Sequence, residues 1–421
     1  MKPNSALTGN NLWISIGVAV LFHGVLWWCM PNNGYTTDLN CWDWWRDTIY
    51  QYGFAHCYQY ATIEYPPVFI YLLGLWRWLI FDFSQPLYEQ RYLYKYIPWC
   101  FSLAGAVWLP FYLQHKRINP VKSLLLLGCV GLWYNFFAWG QIDVIHTLFI
   151  TLAVCCAAGN KPTASALFFL LALNTKVQTV VFVPPFLMLW ATIVKGNTGV
   201  WVKTLLAAAA LQLLLLLPFL ISKATLKVYL AYATSVDRYD YVSFFAFNLW
   251  YWFFANPYTE SDTLLWNFLS LKQWGLLLLF ANMAVLLTAF GVFLFNHKAS
   301  LTESNRQYLA HVFLLFALVG IAFFYFPTQM HERYLHPAVA FLGMFAILER
   351  QYGLFAFISL AYLVNLEAVL HFTPLPYWHY LPALVSGMVL CSYVYGVYLF
   401  YHIALSPAPL SVNLLPQTER P

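Results

Sequence analysis

The stretch PPVFIYLLGLWRWLIFDF, residues 66–83, decides the topology of this chain, because it is apolar enough to cross a membrane and yet carries an arginine in its middle. Arg77 stands between Trp76 and Trp78. This combination is typical of a helix that lies in the membrane interface rather than of one that crosses the hydrocarbon. The placement of the other lysines and arginines tests the choice.

Twelve other apolar runs are the predicted membrane spans. They lie near residues 12–30, 96–114, 123–139, 143–158, 163–173, 179–194, 200–222, 275–296, 307–326, 337–348, 352–370 and 382–404. The runs 163–173 and 337–348 are shorter than the roughly 20 residues that a spanning helix needs. Each has to borrow neighbouring residues or form a broken helix that the rest of the protein covers.

The basic residues favour the interfacial interpretation of 66–83. With that helix in the interface, every predicted cytoplasmic connection carries lysine or arginine, as the positive-inside rule requires. These residues are Lys2, Lys116, Arg117, Lys122, Lys161, Lys195, Lys203, Lys298, Arg306 and Arg350. With 66–83 as a span, nearly all of them would fall on the opposite side. The sequence therefore predicts a first outer loop at 31–95 that contains interfacial helices, and a second large outer segment at 223–274.

Composition indicates an integral membrane protein. Of the 421 residues, 62% are hydrophobic and 9% are charged, whereas soluble domains carry roughly a quarter charged residues. The net charge of +5 is dispersed, so no basic block indicates nucleic acid. The first apolar run lacks a cleavage site and is predicted to be retained as a span. Residues 1–404 would then form a single all-α transmembrane domain, followed by a disordered tail at 405–421.

The sequence gives little indication of metal chemistry. Its eight cysteines show no metal-ligand spacing. The histidines of HERYLH are five residues apart rather than the four of H-E-x-x-H, so they point to different helix faces. No metal or other cofactor is therefore predicted, although a divalent ion is not excluded. A disulfide between Cys41 and Cys57, which share one polar loop, is left open.

The predicted topology gathers the polar clusters on the outer face. Asp38 follows the first span within about a turn, where a carboxylate can face a cavity and act as a base. An amphipathic interfacial helix over residues 34–53 is the alternative explanation for its surroundings. Glu64 precedes the proline pair of EYPP and is a candidate substrate contact, although a carboxylate beside a proline turn is also common on surfaces.

Three further clusters supply candidates for ligand binding. Asp143 in WGQIDVIH begins a span, where capping the helix is the alternative role. Lys176 in NTKVQ is a lone ammonium that needs an anionic partner, and a lipid phosphate would serve. Arg238 and Asn248 lie in an aromatic outer segment, for which interfacial packing is the competing explanation.

The stretch FPTQMHERYLHPAVAFL, residues 326–342, places three titratable side chains between two apolar runs. Arg333 can grip a phosphate with two parallel hydrogen bonds. His331 can donate a hydrogen bond or a proton near neutral pH, and Glu332 can orient either neighbour. The alternative is that Glu332 and Arg333 only pair with each other. An outer-face carboxylate with separate cations indicates a base for one substrate and a phosphate site for another.

Four of these motifs, in this order, resemble the GT-C-fold glycosyltransferases, which are multi-span enzymes that use polyprenyl-phosphate sugars. They are the early Asp38, EYPP, GQID and MHERYLHPA. MHERY resembles bacterial relatives of the GPI-anchor mannosyltransferases, and EYPP resembles the glucosyltransferases of N-glycan assembly. The resemblance covers residues 1 to about 340 and implies a GT-C-like fold. It also implies a catalytic base at Asp38 and phosphate contacts at Arg333, His331 and Lys176.

The implied activity is an inverting transfer of a hexose, with mannose favoured, from a polyprenyl-phosphate sugar to a glycolipid or glycan. A transporter or lipid-sugar flippase is an alternative, which the clustering of charge at one face disfavours. A non-catalytic subunit of a glycan-assembly complex is another. Because the chain has no retention signal or glycosylation sequon, the expected location is a bacterial plasma membrane with the site on the outer, periplasmic face, rather than the endoplasmic reticulum.

Overall fold

The computed structural model describes residues 5–79, 89–194, 196–233, 239–296, 306–373 and 378–405. The α-helices in these ranges are α1 (Ser5–Trp28), α2 (Thr36–Tyr52), α3 (Cys57–Tyr60), α4 (Pro67–Leu79), α5 (Tyr92–His115), α6 (Leu124–Leu127), α7 (Val130–Tyr134), α8 (Asp143–Ala158), α9 (Pro162–Leu173), α10 (Val183–Val194), α11 (Thr198–Ile221), α12 (Thr225–Ala233), α13 (Leu271–Asn296), α14 (Arg306–Tyr325), α15 (His336–Glu349), α16 (Tyr352–Leu370) and α17 (Leu381–Leu405). One antiparallel hairpin pairs β1 (Leu265–Trp266) with β2 (Leu269–Ser270).

Helix length and composition confirm an all-α polytopic membrane protein. In the described ranges, eight helices are long and apolar enough to cross a membrane, or nine if the pair Pro120–Leu127 and Val130–Trp139, bent by 61°, is one span. Each of the twelve apolar runs coincides with a helix or with this bent pair. However, α8, α9 and α15 have only 16, 12 and 14 residues. The count of twelve spans therefore stays a prediction.

The run at 66–83 begins a short helix, α4, which is not among the eight long apolar helices. It packs against α2, whose buried face includes Trp42 and Trp45. The Trp42 and Phe69 rings lie 4.7 Å apart between the two helices. The segment predicted to be the first outer loop thus contains a pair of helices packed on each other.

The helix α14 forms the centre of the molecule, because nearly all of its residues are buried. It packs against α13, α15 and α17. A Cβ atom at Gly320 would lie 2.9 Å from the Cβ of Ala338, so α14 and α15 approach each other closely. This packing fixes the connection between them, which carries the HERY motif.

The segment 239–270, which belongs to the predicted second outer segment, packs on that connection. The backbone N–H of Phe244 donates to the carbonyl of Met330 at 2.9 Å. The carboxylate of Asp262, itself 1% exposed, accepts a hydrogen bond from the Thr328 hydroxyl at 3.0 Å. The segment therefore supports the loop that precedes the HERY motif.

Two points of the sequence analysis remain, the possible disulfide and the tail. Cys41 and Cys57 are present as thiols and not as a disulfide. Residues 406–421, which make up nearly all of the expected tail, lie outside the described residues.

Candidate functional site

Asp38 lies half-buried in the first turn of α2 and is held by two side chains from a distant part of the sequence. Its Oδ2 accepts hydrogen bonds from Trp139 Nε1 at 2.8 Å and from Gln141 Nε2 at 2.5 Å. Among the described residues, no donor contacts the other oxygen, Oδ1. The carboxylate is thus oriented through one oxygen and available through the other.

The GQID turn brings both donors to Asp38. Helix α7 runs into a π-helical turn, Asn135–Trp139, which ends at Gly140 with a left-handed φ of 93°. Glycine adopts this conformation without steric penalty. A π turn inserts an extra residue into a helix and re-aims the side chains that follow, and such turns are frequent at functional sites. Trp139 and Gln141 face the same carboxylate because of this turn.

Gln141 connects Asp38 to a buried cation. While its Nε2 donates to Asp38, its Oε1 accepts from the Tyr65 hydroxyl at 3.3 Å and from Lys176 Nζ at 3.5 Å. The ammonium of Lys176 also lies 5.4 Å from the centroid of the Tyr65 ring. The EYPP, GQID and NTK motifs therefore meet at one point.

The anionic partner of Lys176 within the protein is Asp143. Their Nζ and Oδ1 atoms lie 2.5 Å apart, and both side chains are 2% exposed. The second oxygen of Asp143 accepts from Asn135 Nδ2 at 3.0 Å. Both carboxylate oxygens thus bind side chains, and this is a different role from capping the start of α8.

The network continues into the last third of the chain. Asn135 Nδ2 also lies 3.3 Å from the Tyr362 hydroxyl, which in turn lies 3.0 Å from His336 Nδ1. His336 is the first residue of α15 and follows the HERY motif by two residues. Side chains from eight separate elements or connections therefore form one largely buried polar cluster.

Glu332 and Arg333 pair with each other, as one of the two interpretations of the motif requires. Arg333 Nη1 lies 2.8 Å from Glu332 Oε1, and the two side chains are 10% and 1% exposed. The pair does not satisfy the arginine, because its buried Nε has no hydrogen-bond partner in the described part of the chain. Arg333 therefore keeps a buried N–H that is available to an anion.

Neighbouring carboxylates stabilise the positive charge of Arg333. Burial opposes it, but the carboxylates of Asp38 and Glu332 outweigh burial and hold the pKa of Arg333 well above its ordinary value. Burial raises the pKa of Glu332, against the lowering effect of Arg333. Arg333 and Asp38 lie close enough to influence each other electrostatically, although their motifs are far apart in the sequence.

His331 is a neutral group in this setting. Burial, followed by the charges of Arg333 and Lys176, lowers its pKa well below the ordinary value. Its ring lies 4.6 Å from that of Phe244 and 5.1 Å from that of Tyr334, and no hydrogen-bond partner among the described residues contacts its Nδ1. His331 can therefore offer a hydrogen bond to a ligand, but not a charge near neutral pH.

Three other candidate residues are not among the cluster contacts described above. Asn248 is fully buried, and its amide donates to the carbonyls of Phe324 and Pro327 while its Oδ1 accepts from the Trp250 N–H. This accounts for Asn248 as a structural residue. Glu64 is half-buried and directly precedes Tyr65. Arg238 lies outside the described residues.

Several members of the cluster were not among the predicted site residues. These are Tyr65, Asn135, Trp139, Gln141, His336 and Tyr362, together with Lys95, a buried lysine that lies beside the cluster and donates to the backbone carbonyls of Phe137 and Ala138. Lys95 left a signal in the sequence, since it is a basic residue on the predicted outer side, which is the same argument that singled out Lys176. For the uncharged residues, neither charge nor spacing distinguishes them from their neighbours.

An apolar groove lies beside the π-helical turn. It runs between Trp133 and Phe137 on one side and Leu360 and Val364 of α16 on the other, and its volume is about 490 Å³. Ala138, the residue before Trp139, is part of its lining. A hydrocarbon chain in this groove would therefore reach the edge of the polar cluster.

Comparison with models of protein families finds no match to this chain, and comparison with curated proteins finds none either. Within the described part of the chain, no group of three or more His, Cys, Asp or Glu side chains is arranged to hold a metal ion.

Proposed function

We propose that this chain is an inverting glycosyltransferase of the GT-C type, embedded in the membrane. It would move a hexose, with mannose favoured, from a polyprenyl-phosphate sugar to a hydroxyl of a glycolipid or glycan. The observation that carries the proposal is the convergence of Asp38, a half-buried carboxylate with one uncontacted oxygen, and Arg333, a buried cation with an unpartnered N–H. The proposed base and the proposed anion site thus lie close enough to influence each other electrostatically.

Asp38 is the base of the proposed reaction. Its Oδ1 takes the proton from the acceptor hydroxyl while that oxygen attacks the anomeric carbon of the sugar. The bond from this carbon to the phosphate oxygen breaks at the same time, and the lipid phosphate leaves. A single displacement inverts the anomeric centre, unlike the two-step route of retaining glycosidases. Trp139 and Gln141 hold the opposite oxygen and so fix the direction in which the base points.

Arg333 is the main group that stabilises the leaving phosphate. Its charge is held by neighbouring carboxylates, and its free N–H can reach an anion, so it can offset the negative charge that develops on the phosphate oxygen. Lys176 shares its charge with Asp143 and contributes less. His331 contributes a hydrogen bond as a neutral imidazole.

The apolar groove between α7 and α16 supports a lipid-linked substrate, because a prenyl or acyl chain can lie there while its polar end reaches the cluster. In the proposed setting the site faces the outer side of a bacterial plasma membrane. The lipid donor and the acceptor would then both lie on the outer side of the membrane.

The first experiment measures sugar transfer by the purified protein in nanodiscs. Labelled polyprenyl-phosphate mannose and glucose are the donors, and a pooled lipid extract supplies acceptors. Wild type is expected to transfer label, whereas Asp38→Asn is expected to lose on the order of 10²-fold or more in rate, since a positioned base contributes about this much. Binding of the labelled donor should persist in the variant.

Asp47→Asn is the matched control, because Asp47 lies on the same helix, its side chain is 49% exposed, and asparagine keeps the Oδ1 acceptor that binds Arg46. Its transfer rate should equal that of wild type. Equal transfer by Asp38→Asn and wild type would remove Asp38 from the mechanism. Donor binding without transfer by any variant would favour a lipid-sugar flippase or a non-catalytic subunit instead.

A further inference from the structure

Lys95 is a buried cation for which the proposed reaction has no use. It lies in the first turn of α5 and is 0% exposed. Its Nζ donates to the carbonyl of Phe137 at 2.7 Å, to that of Ala138 at 3.2 Å, and to that of Asn33. An ammonium has three N–H donors, and here three backbone carbonyls take them up. In the described residues, Lys95 hydrogen bonds only to backbone, so it is not a further phosphate site.

The two segments that Lys95 joins are the ones that assemble the base. Asn33 leads into the start of α2, where Asp38 lies. Phe137 and Ala138 lead directly into Trp139, a donor to Asp38. The segments also touch directly, because the Tyr35 N–H donates to the Trp139 carbonyl at 2.9 Å.

Carbonyl groups from two segments that point at the same place repel each other and need a donor when they are buried. Lys95 supplies that donor from a third element, α5. The ammonium therefore fixes the distance between the start of α2 and the π-helical turn. It does so through the backbone and makes no contact with Asp38 itself.

We propose that Lys95 is a positioning residue, which keeps Asp38 aligned with Trp139 and Gln141. The inference rests on the proposed function, in which the direction of the Asp38 carboxylate matters for proton transfer. Misplacing a catalytic group by about 1 Å can cost on the order of 10²-fold in rate. Because Lys95 touches neither substrate in this scheme, the loss should fall on kcat and not on donor binding.

The test replaces Lys95 by methionine, which keeps an unbranched chain and removes all three donors. Lys95→Met is expected to lower kcat by on the order of 10²-fold while the KM and Kd for the labelled donor change by less than about twofold. In the Asp38→Asn background it should have little further effect on kcat, because the base it positions is already gone. Lys122→Met is the matched control, since Lys122 donates to a single carbonyl, that of Ile347, at 3.2 Å.

Hydrogen exchange tests the same inference without any assay of activity. In Lys95→Met, backbone amides in 33–39 and 137–142 should exchange faster than in wild type, while α14 should not change. Unchanged exchange in both segments, or an unchanged kcat, would overturn the proposal, and so would a loss of donor binding equal to the loss in kcat. If Lys95→Met does not fold, Lys95→Gln, which keeps two N–H donors, is measured by the same criteria.

Failure of the proposed function is separable from failure of this inference. If wild type transfers no sugar, the glycosyltransferase proposal fails. The exchange experiment still decides whether Lys95 holds the two segments together.

Discussion

Lys176 and Asp143 form a buried ion pair within the cluster. Both side chains are 2% exposed, so neither charge has bulk water near it. In a buried environment the two opposite charges compensate each other, whereas either residue alone would be a buried, uncompensated charge. Each residue therefore stabilises the fold mainly because its removal would leave the charge of the other buried and unpaired.

Lys176→Met is expected to lower the free energy of unfolding by about 3–5 kcal/mol, which is the usual effect of breaking a buried ion pair. The double variant Lys176→Met, Asp143→Asn should recover most of that loss, because no charge is left unpaired. Thermal unfolding of the purified variants in one detergent measures both effects.

The exposed pair of Arg306 and Glu349 is the control. Its Nε and Oε1 atoms lie 3.5 Å apart, and the side chains are 48% and 34% exposed. Arg306→Met should change the free energy of unfolding by less than about 1 kcal/mol. A double variant no more stable than Lys176→Met would show that the pair is not the source of the loss.

Single residues differ in how far the sequence could predict them. Lys176 was predictable, because a lone lysine on the predicted outer side runs against the positive-inside rule. Lys95 carries the same signal but stands at the edge of an apolar run, where a lysine usually marks only the end of a span. Its partners are backbone carbonyls 42, 43 and 62 positions away in the chain, and no pattern of residue types shows where a carbonyl points.

At the scale of elements, the junction between the start of α2 and the π-helical turn leaves little room for a side chain. A Cβ atom at Gly34 would lie 2.6 Å from the Trp139 carbonyl oxygen and 3.3 Å from the Ala138 carbonyl oxygen. Both are backbone atoms and cannot move aside as a flexible side chain would. The close approach therefore requires glycine at this position.

Gly34→Ala is expected to push the two segments apart and so to reduce sugar transfer by at least about tenfold, since the base loses its alignment. The comparison is Gly24→Ala in α1, where an added Cβ would meet nothing within 4 Å. Alanine in a helix interior is favoured over glycine by roughly 0.5–1 kcal/mol, so this variant should be as stable as wild type or more so. Full transfer activity in Gly34→Ala would contradict the tight junction.

The elements themselves were largely predictable, and their irregularities were not. Long apolar runs form helices in a membrane because the backbone must satisfy its own hydrogen bonds there. The residue types of Asn135–Trp139 do not by themselves predict a π-helical turn, so only the following Gly140 indicated a change of direction. The predicted topology put the EYPP, GQID and NTK motifs on one face, but their hydrogen bonds to one another depend on such irregular turns.

At the scale of the whole molecule, the site is assembled from connections between helices. Asp38, Gln141, Lys176 and Arg333 each lie in or beside such a connection, and the outer segment 239–270 covers one of them. The predicted topology puts all of these on the outer side. Connections such as the one before α11 would then lie in the cytoplasm.

Labelling of single cysteines tests this orientation. In a background with the exposed Cys29 and Cys391 replaced by serine, Thr259→Cys should react with a membrane-impermeant maleimide in intact cells. Thr198→Cys should react only after the cells are permeabilised. Both threonines are exposed, so accessibility to the reagent differs only by side. The reverse pattern would place the site in the cytoplasm.

The shortness of three helices has a consequence for the depth of the site. At 1.5 Å per residue, α8, α9 and α15 are about 24, 18 and 21 Å long, against a hydrocarbon thickness of about 30 Å. Asp143 and His336 begin two of them, and Lys176 follows the end of the third by three residues. If their far ends reach the inner boundary, the floor of the cluster lies about 6–12 Å below the outer one. A lipid phosphate would have to descend that far, or the surrounding bilayer would have to thin, so membrane thickness itself becomes a determinant of substrate access.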